Sequence, residues 1–563
     1  MAVGYTYASQ LIEHQMQASD RQRNMDPAYV VDDTPTLQIT QTLVMRPLDC
    51  AYPWRDPCGQ DGECRNIQVG RLPPTEPGRP PSVAGMKRIR TLGILGTVLL
   101  SSFLTALDNS VVTVAFPQIG RELNLDEADL KWVAAVYPLA LASFLLVGGH
   151  LTDSKGRRWT LLTGLAVFTA SSMCCALSAT GDLLVAFRGA QGIGAALILP
   201  ASLAILSHDV PPRARTAGFG ATMAMLASAL ALGPVISGFV TQYSGWQWLF
   251  FMNLPLGLIG FLVGIVAVPH PTPRTGARPS AAVSMQMLAL ACASCAAVVY
   301  CLIEGPAYGF TRPPLIIAGC FAALGLAVTC WRARSPNTAL MLLFRQKPFT
   351  GGVITQLLWG LGVSGVYFYT SQFLQNGLKL SPSAAGLAFT PVASALLLTA
   401  PFVAALARRW GDHRVTASGL ILVSVGLLLV ALGSLHGTLA NLIPGLSAVG
   451  AGSALALPMT TRALESSPEH LAGIAAGLFS ATRELSGVFG IAFVGAVVTF
   501  VQTASLSRDA SSSDAFLAGY QTGLCMAAVL VGAAAPIAVW ALRRDPVDGG
   551  NDWSHTSEAE GRS

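Results

Sequence analysis

"GIGAALILPASL" at 192–203 returns as "GAGSALALPMTT" at 450–461, with Gly192/Gly450, Gly194/Gly452, Ala196/Ala454, Leu197/Leu455, Leu199/Leu457 and Pro200/Pro458 in register. A weaker echo pairs "LTDSKGRRWTLLTG" at 151–164 with "LARRWGDHRVTASG" at 406–419, aligning Gly156 with Gly411 and Gly164 with Gly419 at nearly the same offset. Self-similarity of this kind marks a chain built from two copies of one unit. Both copies are apolar. Of 563 residues, 52% are hydrophobic and 12% charged, about half the charge of an ordinary soluble domain. Apolar runs recur from Thr91 to Leu542, each near the ~20 residues that cross a ~30 Å hydrocarbon core. A polytopic membrane protein of all-α class follows, because a helix satisfies its own backbone where water is absent.

Fourteen spans are expected, near 91–116, 130–149, 159–178, 182–207, 215–240, 247–268, 281–303, 314–331, 349–374, 383–407, 415–435, 439–460, 471–501 and 516–541. The repeat makes spans 1–6 (91–268) and 9–14 (349–542) two six-helix bundles, with spans 7 and 8 (281–332) an inserted pair. Repeated bundles are the usual build of a rocking transporter whose site lies between the halves. Residues 1–85 are polar, proline-rich toward their end and expected to be disordered; Met86-Lys87-Arg88 would make an ordinary start, so they read as a dispensable cytoplasmic extension. Residues 543–563 read as a cytoplasmic tail.

The formal charge of +5 is topogenic. Twenty cations, among them Lys155, Arg345, Lys347, Arg462 and Arg543, fall on one side of the spans, against Arg121, Lys131, Arg312, Lys379 and Arg508 on the other. This asymmetry puts both termini in the cytoplasm of a cell-membrane protein. Scattered cations exclude a nucleic-acid partner. No lysine directly follows a glycine, so there is no phosphate loop for ATP, and neither G-x-S-x-G nor H-E-x-x-H occurs. The chain reads as no enzyme, with no cofactor and no metal. Cys292-x-x-Cys295 lies in an apolar span and reads as packing.

Against this background, charges inside spans are informative. Asp108 lies ~12 Å from the outer end of span 1, and Arg188 ~9 Å from the same side of span 4, at 1.5 Å per residue. Each is costly in lipid unless paired. They are expected to share a polar pocket, Asp108 as a protonatable member or as the partner that sets the field of Arg188. Arg483 and Glu484 in span 13 are further proton-coupling candidates, and read equally as a structural pair or as cavity residues. Trp359, Tyr367, Tyr369, Gln372 and Phe373 in span 9 are candidates to line a substrate cavity, and packing explains them about as well. Glu304 reads as interfacial.

Several motifs resemble those of the major facilitator superfamily. The loop "GGHLTDSKGRRWTLL" (148–162) is similar to G-x-L-x-D-x-x-G-R-[RK] through Gly149, Leu151, Asp153, Gly156, Arg157 and Arg158, with Ser154 where arginine is frequent. "AFRGAQGIG" resembles the span-4 signature R-x-x-Q-G-x-G through Arg188, Gln191, Gly192 and Gly194. "GPVISG" resembles the span-5 antiporter signature through Gly233, Pro234 and Gly238, with Ser237 in place of a glycine. "WQWLFFMNLPLG" (246–257) and "LDNSVVTVAFP" are similar to the span-6 and span-1 signatures of the 14-span drug:proton antiporter branch, which includes antibiotic exporters of the methylenomycin-resistance kind.

The resemblance implies a major facilitator fold with a loop that latches the halves. It also implies proton coupling at Arg188 and efflux of small hydrophobic or amphipathic toxic compounds from a bilayer-embedded monomer. The alternatives are a nutrient or siderophore transporter of the same fold, which the span-5 break disfavours, and a non-transporting membrane sensor, which the complete span-4 signature disfavours.

Overall fold

The spans start and stop where local chemistry dictates. Asp126 and Asp129 form a reciprocal cap, each carboxylate accepting the other's backbone N–H at 2.8 and 3.3 Å, and a span begins there. It ends at Gly156, whose φ of 98° no other residue type adopts without strain. Thr180, Ser381 and Ser511 cap three further helices with their hydroxyls.

The structure is a computed structural model and describes residues 81–269, 285–334, 338–468 and 471–543. The expected extension at 1–85 and tail at 543–563 lie outside it, apart from their innermost residues. Among the described residues the fold is all helical. In the first half run α1 Ile89–Val114, α2 Glu127–Lys155, α3 Arg157–Ala176, α4 Gly181–His208, α5 Pro212–Ser244 and α6 Gln247–Ala267. The inserted pair is α7 Ala289–Tyr308 and α8 Pro313–Ala333. In the second half run α9 Lys347–Gly377, α10 Pro382–Trp410, α11 Asp412–His436, α12 Leu439–Glu465, α13 Ala472–Leu506 and α14 Ser512–Ala541.

Two boundaries differ from expectation. The first helix reaches back to Pro81, so residues 81–85 are helical rather than part of a disordered extension. Lys131, counted above among loop cations, lies within α2 and is 1% exposed. The preceding cap, Asp126, starts the helix earlier than hydropathy alone shows.

The repeat is visible as equivalent helix contacts. α4 packs on α2 and α3, and α12 on α10 and α11. A Cβ on Gly164 would meet the Gly194 carbonyl at 2.9 Å, and one on Gly419 would meet the Gly452 carbonyl at 2.7 Å. These four glycines are the aligned positions of the two sequence repeats. Bare backbone lets the helices touch, and in lipid close packing supplies much of the association. Between the halves, α2 packs on α13 and α5 on α10, while α7 lies against both α2 and α13.

Gly452→Val is therefore expected to destabilise the fold by roughly 1–3 kcal/mol, the usual cost of overpacking. Gly220→Val, where an added Cβ meets nothing within 4 Å, should stay within about 0.5 kcal/mol of the parent. Thermal melting of the two purified variants in one detergent checks this; equal melting would mean that α11 and α12 are not in close contact.

Candidate functional site

Asp108 lies near the end of α1 and is 0% exposed. A carboxylate so placed must have donors, and two other helices bring them while a third positions those donors. From α4, Arg188 donates to Asp108 and Gln191 Nε2 donates to Asp108 Oδ1 at 2.8 Å. From α6, Asn253 Nδ2 donates to the same oxygen at 2.6 Å. From α3, Ser172 Oγ accepts from Gln191 at 2.6 Å and from Asn253 at 3.3 Å.

Arg188 is 1% exposed. Its Nη1 also donates to Gln191 Oε1 at 2.8 Å, and its guanidinium lies 4.5 Å from the Tyr137 ring centre. The pair thus exchanges bulk solvation for charge-assisted hydrogen bonds and a cation–π contact. Arg188 Nε and Asn253 Oδ1 have no hydrogen-bond partner among the described residues. Gly192 makes this possible: a Cβ there would strike the Tyr137 carbonyl at 2.4 Å, so only glycine brings α4 close enough to α2.

Other sequence candidates fall elsewhere. Arg157 pairs with Asp209 at the end of α4, and Arg158 donates to the carbonyls of Val268 at 2.9 Å and Ile265 at 2.6 Å. These contacts lie within the first half, with Asp153 exposed and Gly149 open-sided. Arg483 donates to Glu484 at 3.0 Å, with its side chain 50% exposed. Gly233 abuts Ser110, and Gly238 abuts the Pro382 backbone of the second half. In α9, Tyr367 stacks on Phe389 with centroids 5.5 Å apart, and Phe373 stacks on Tyr520 at 4.9 Å. Trp359 Nε1 and Gln372 Nε2 are buried without a partner among the described residues.

The family comparison decides the assignment. Residues 98–491 match the model described as Major Facilitator Superfamily. The chain belongs to this superfamily. It is 33% identical over 427 residues, 75% of this chain and 78% of the relative, to the multidrug resistance protein Stp of Mycobacterium tuberculosis (strain ATCC 25618 / H37Rv). It is 29% identical to the methylenomycin A resistance protein of Streptomyces coelicolor, over 74% of this chain and 87% of that one. The fold is also that of a crystal structure of a bacterial homologue of the human lysosomal transporter Spinster, with TM-score 0.57 and 15% identity over 81% of this chain and 99% of that one.

The two halves are joined at the end opposite the basic loops. Lys131 Nζ donates to Thr499 Oγ1 on α13 at 2.9 Å and pairs with Glu127 at 2.9 Å. Tyr369 Oη on α9 donates to Glu127 at 3.0 Å. Gln375 Nε2 donates to the Val114 carbonyl at 2.8 Å, and Phe116 meets Phe368 with centroids 4.9 Å apart. Tyr369 therefore belongs to this junction. Glu304 accepts from Trp132 at 2.8 Å, which ties α7 to α2 near the same end.

Sequence reading missed Asn253, Ser172 and the Lys131–Glu127–Tyr369 junction. The signal for Asn253 was present in the quoted "FFMNLPLG", a buried amide in an apolar run. Replacing Lys131 with Met should loosen the junction by leaving Glu127 without its cation. Spin labels at Arg121→Cys and Arg508→Cys, one in each half, should then show a larger population at long separation; an unchanged distance distribution would mean that the contact does not hold the halves.

Proposed function

We propose that the chain is a proton-coupled antiporter that exports small hydrophobic or amphipathic toxic compounds, with the basic loops and both termini in the cytoplasm. The observation that carries this reading is the buried Asp108, held by Arg188, Gln191 and Asn253. A carboxylate and a guanidinium kept together away from water are costly in a membrane and mark proton pathways. A proton arriving on Asp108 removes the charge that holds Arg188, while Arg188 Nε and Asn253 Oδ1 offer a spare donor and a spare acceptor beside it. Ser110, two residues on, donates to the Ala229 carbonyl of α5 at 3.0 Å, so a shift of α1 reaches the helix that packs on the second half.

Export is supported by the Gly233-Pro234-Gly238 motif and by relatives named for drug and antibiotic resistance. A junction at the end opposite the basic loops corresponds, in this orientation, to closure toward the outside. The acids well inside the spans have partners, Asp108 with Arg188 and Glu484 with Arg483, and Glu304 near the end of α7 accepts from Trp132. That inventory favours neutral cargo over cationic cargo, with Trp359, Tyr367 and Arg483 as cavity-lining candidates. A potential of ~100 mV supplies ~2.3 kcal/mol per charge moved. At ~1.4 kcal/mol per tenfold, this sustains a gradient of roughly fifty-fold without ATP.

In inverted vesicles, an imposed proton gradient should drive accumulation of members of a panel of fluorescent amphipathic dyes, and an uncoupler should abolish it. Asp108→Asn keeps the shape of the site, removes its charge and turns one of its two accepting oxygens into a donor. It should reduce proton-driven accumulation by at least about tenfold while membrane insertion is retained. Full proton-driven transport by this variant would remove Asp108 from coupling, and transport indifferent to uncoupler would remove proton coupling altogether.

A further inference from the structure

A cleft of about 790 Å³ opens at the basic end of the second half, where the start of α9 meets the ends of α12 and α14. Arg345, Lys347, Arg462 and Arg543 line it, and no carboxylate among the described residues does. These four cations come from three segments far apart in sequence. Arg345, Lys347 and Arg543 form no ion pair with any described residue. Gln346, the N-cap of α9, contributes no side-chain cap, so the first-turn amides of α9 add their own positive field at the same place.

Topology alone requires cations on this side of the membrane; it does not require them to surround one cleft, where they repel one another. An anion relieves that repulsion. The remaining wall is apolar, including Pro348, Pro536 and Val539, and Trp540 is 68% exposed. Tryptophan favours the level where headgroups meet hydrocarbon. A binding place with a cationic floor and an apolar, lipid-facing rim matches a molecule that has both parts.

We propose that this cleft holds the phosphate-bearing headgroup of an anionic lipid. The headgroup phosphate is met by the cations, and an acyl chain lies along the Trp540 face. This inference stands on the membrane fold and does not depend on proton coupling or on the direction of transport.

The test uses the purified full chain, delipidated and then exposed to phosphatidylglycerol or phosphatidylcholine, with retained lipid counted by native mass spectrometry. Phosphatidylglycerol should be retained at least about tenfold better, and an Arg345→Gln/Lys347→Gln double variant should lose that preference. Equal retention of the two lipids, or an unchanged preference in the double variant, overturns the proposal. Inorganic phosphate at the lipid's concentration should leave retention unchanged; displacement by it would make this a free-anion site and overturn the lipid assignment. A chain ending at Arg543 should retain the lipid equally; binding seen only after this truncation would assign the cleft to the acidic tail that carries Asp545, Asp548 and Asp552. Should the double variant not fold, brominated phosphatidylglycerol should quench a component of fluorescence in the parent that is absent in Trp540→Phe, and equal quenching by brominated phosphatidylcholine would again overturn the assignment.

Discussion

A carboxylate in hydrocarbon has to be surrounded by donors, and that requirement organises the first half. Asp108 draws Arg188 and Gln191 from α4 and Asn253 from α6, and Ser172 from α3 accepts from two of these donors. Four helices are thereby fixed in rotation as well as in position, since a turn of any one would aim its polar group into lipid or apolar packing. Isolated burial of a charge would cost several kcal/mol. Here the cost is offset by saturating the anion, and removing a single partner leaves the others exposed to the same penalty.

The second constraint is proximity. Polar side chains reach one another only if backbones approach, and the shared glycines permit it: Gly192 against the Tyr137 carbonyl in the first half, Gly450 against the Val392 carbonyl at 2.1 Å from an added Cβ in the second. The halves share this skeleton and differ in what they place on it. Where the first half carries Arg188 four residues before Gly192, the second carries Leu446 before Gly450, buried in the apolar core. The repeat therefore accounts for architecture, and the buried ion pair belongs to one copy alone.

These two layers were unequally legible in the sequence. Spans and repeat could be read because hydropathy and glycine spacing are properties of contiguous residues. Asp108 and Arg188 could be paired because each was anomalous in its own run and helical rise gave similar depths. Asn253 escaped notice because an amide four residues after Leu249 in an aromatic run is equally at home as a cap, and only the placement of α6 beside α1 shows its partner. Lys131 was misplaced because hydropathy weighs its charge and ignores its position: a lysine one turn after Glu127 is neutralised by that carboxylate and donates to Thr499, 368 residues away. Arg157 likewise has a nearby candidate in Asp153, yet pairs with Asp209, which the fold brings to it from the end of α4.

In the coupling proposed above, the site reaches the second half through α5. On one side it accepts a hydrogen bond from Ser110, two residues beyond Asp108, through the Ala229 carbonyl, one turn before Gly233-Pro234. On the other side Gly238 touches the Pro382 backbone, Gly386 in turn touches the Pro234 carbonyl, and Gln242 accepts from the Ser383 N–H at 3.1 Å. Proline removes an intrahelical hydrogen bond and lets the helix bend. Pro234 therefore lies between the Ser110 contact and the Gly238 and Gln242 contacts with the second half. In that proposed coupling, a change of charge at Asp108 passes to the second half across this weakened turn, one of several proline-bearing turns in the spans.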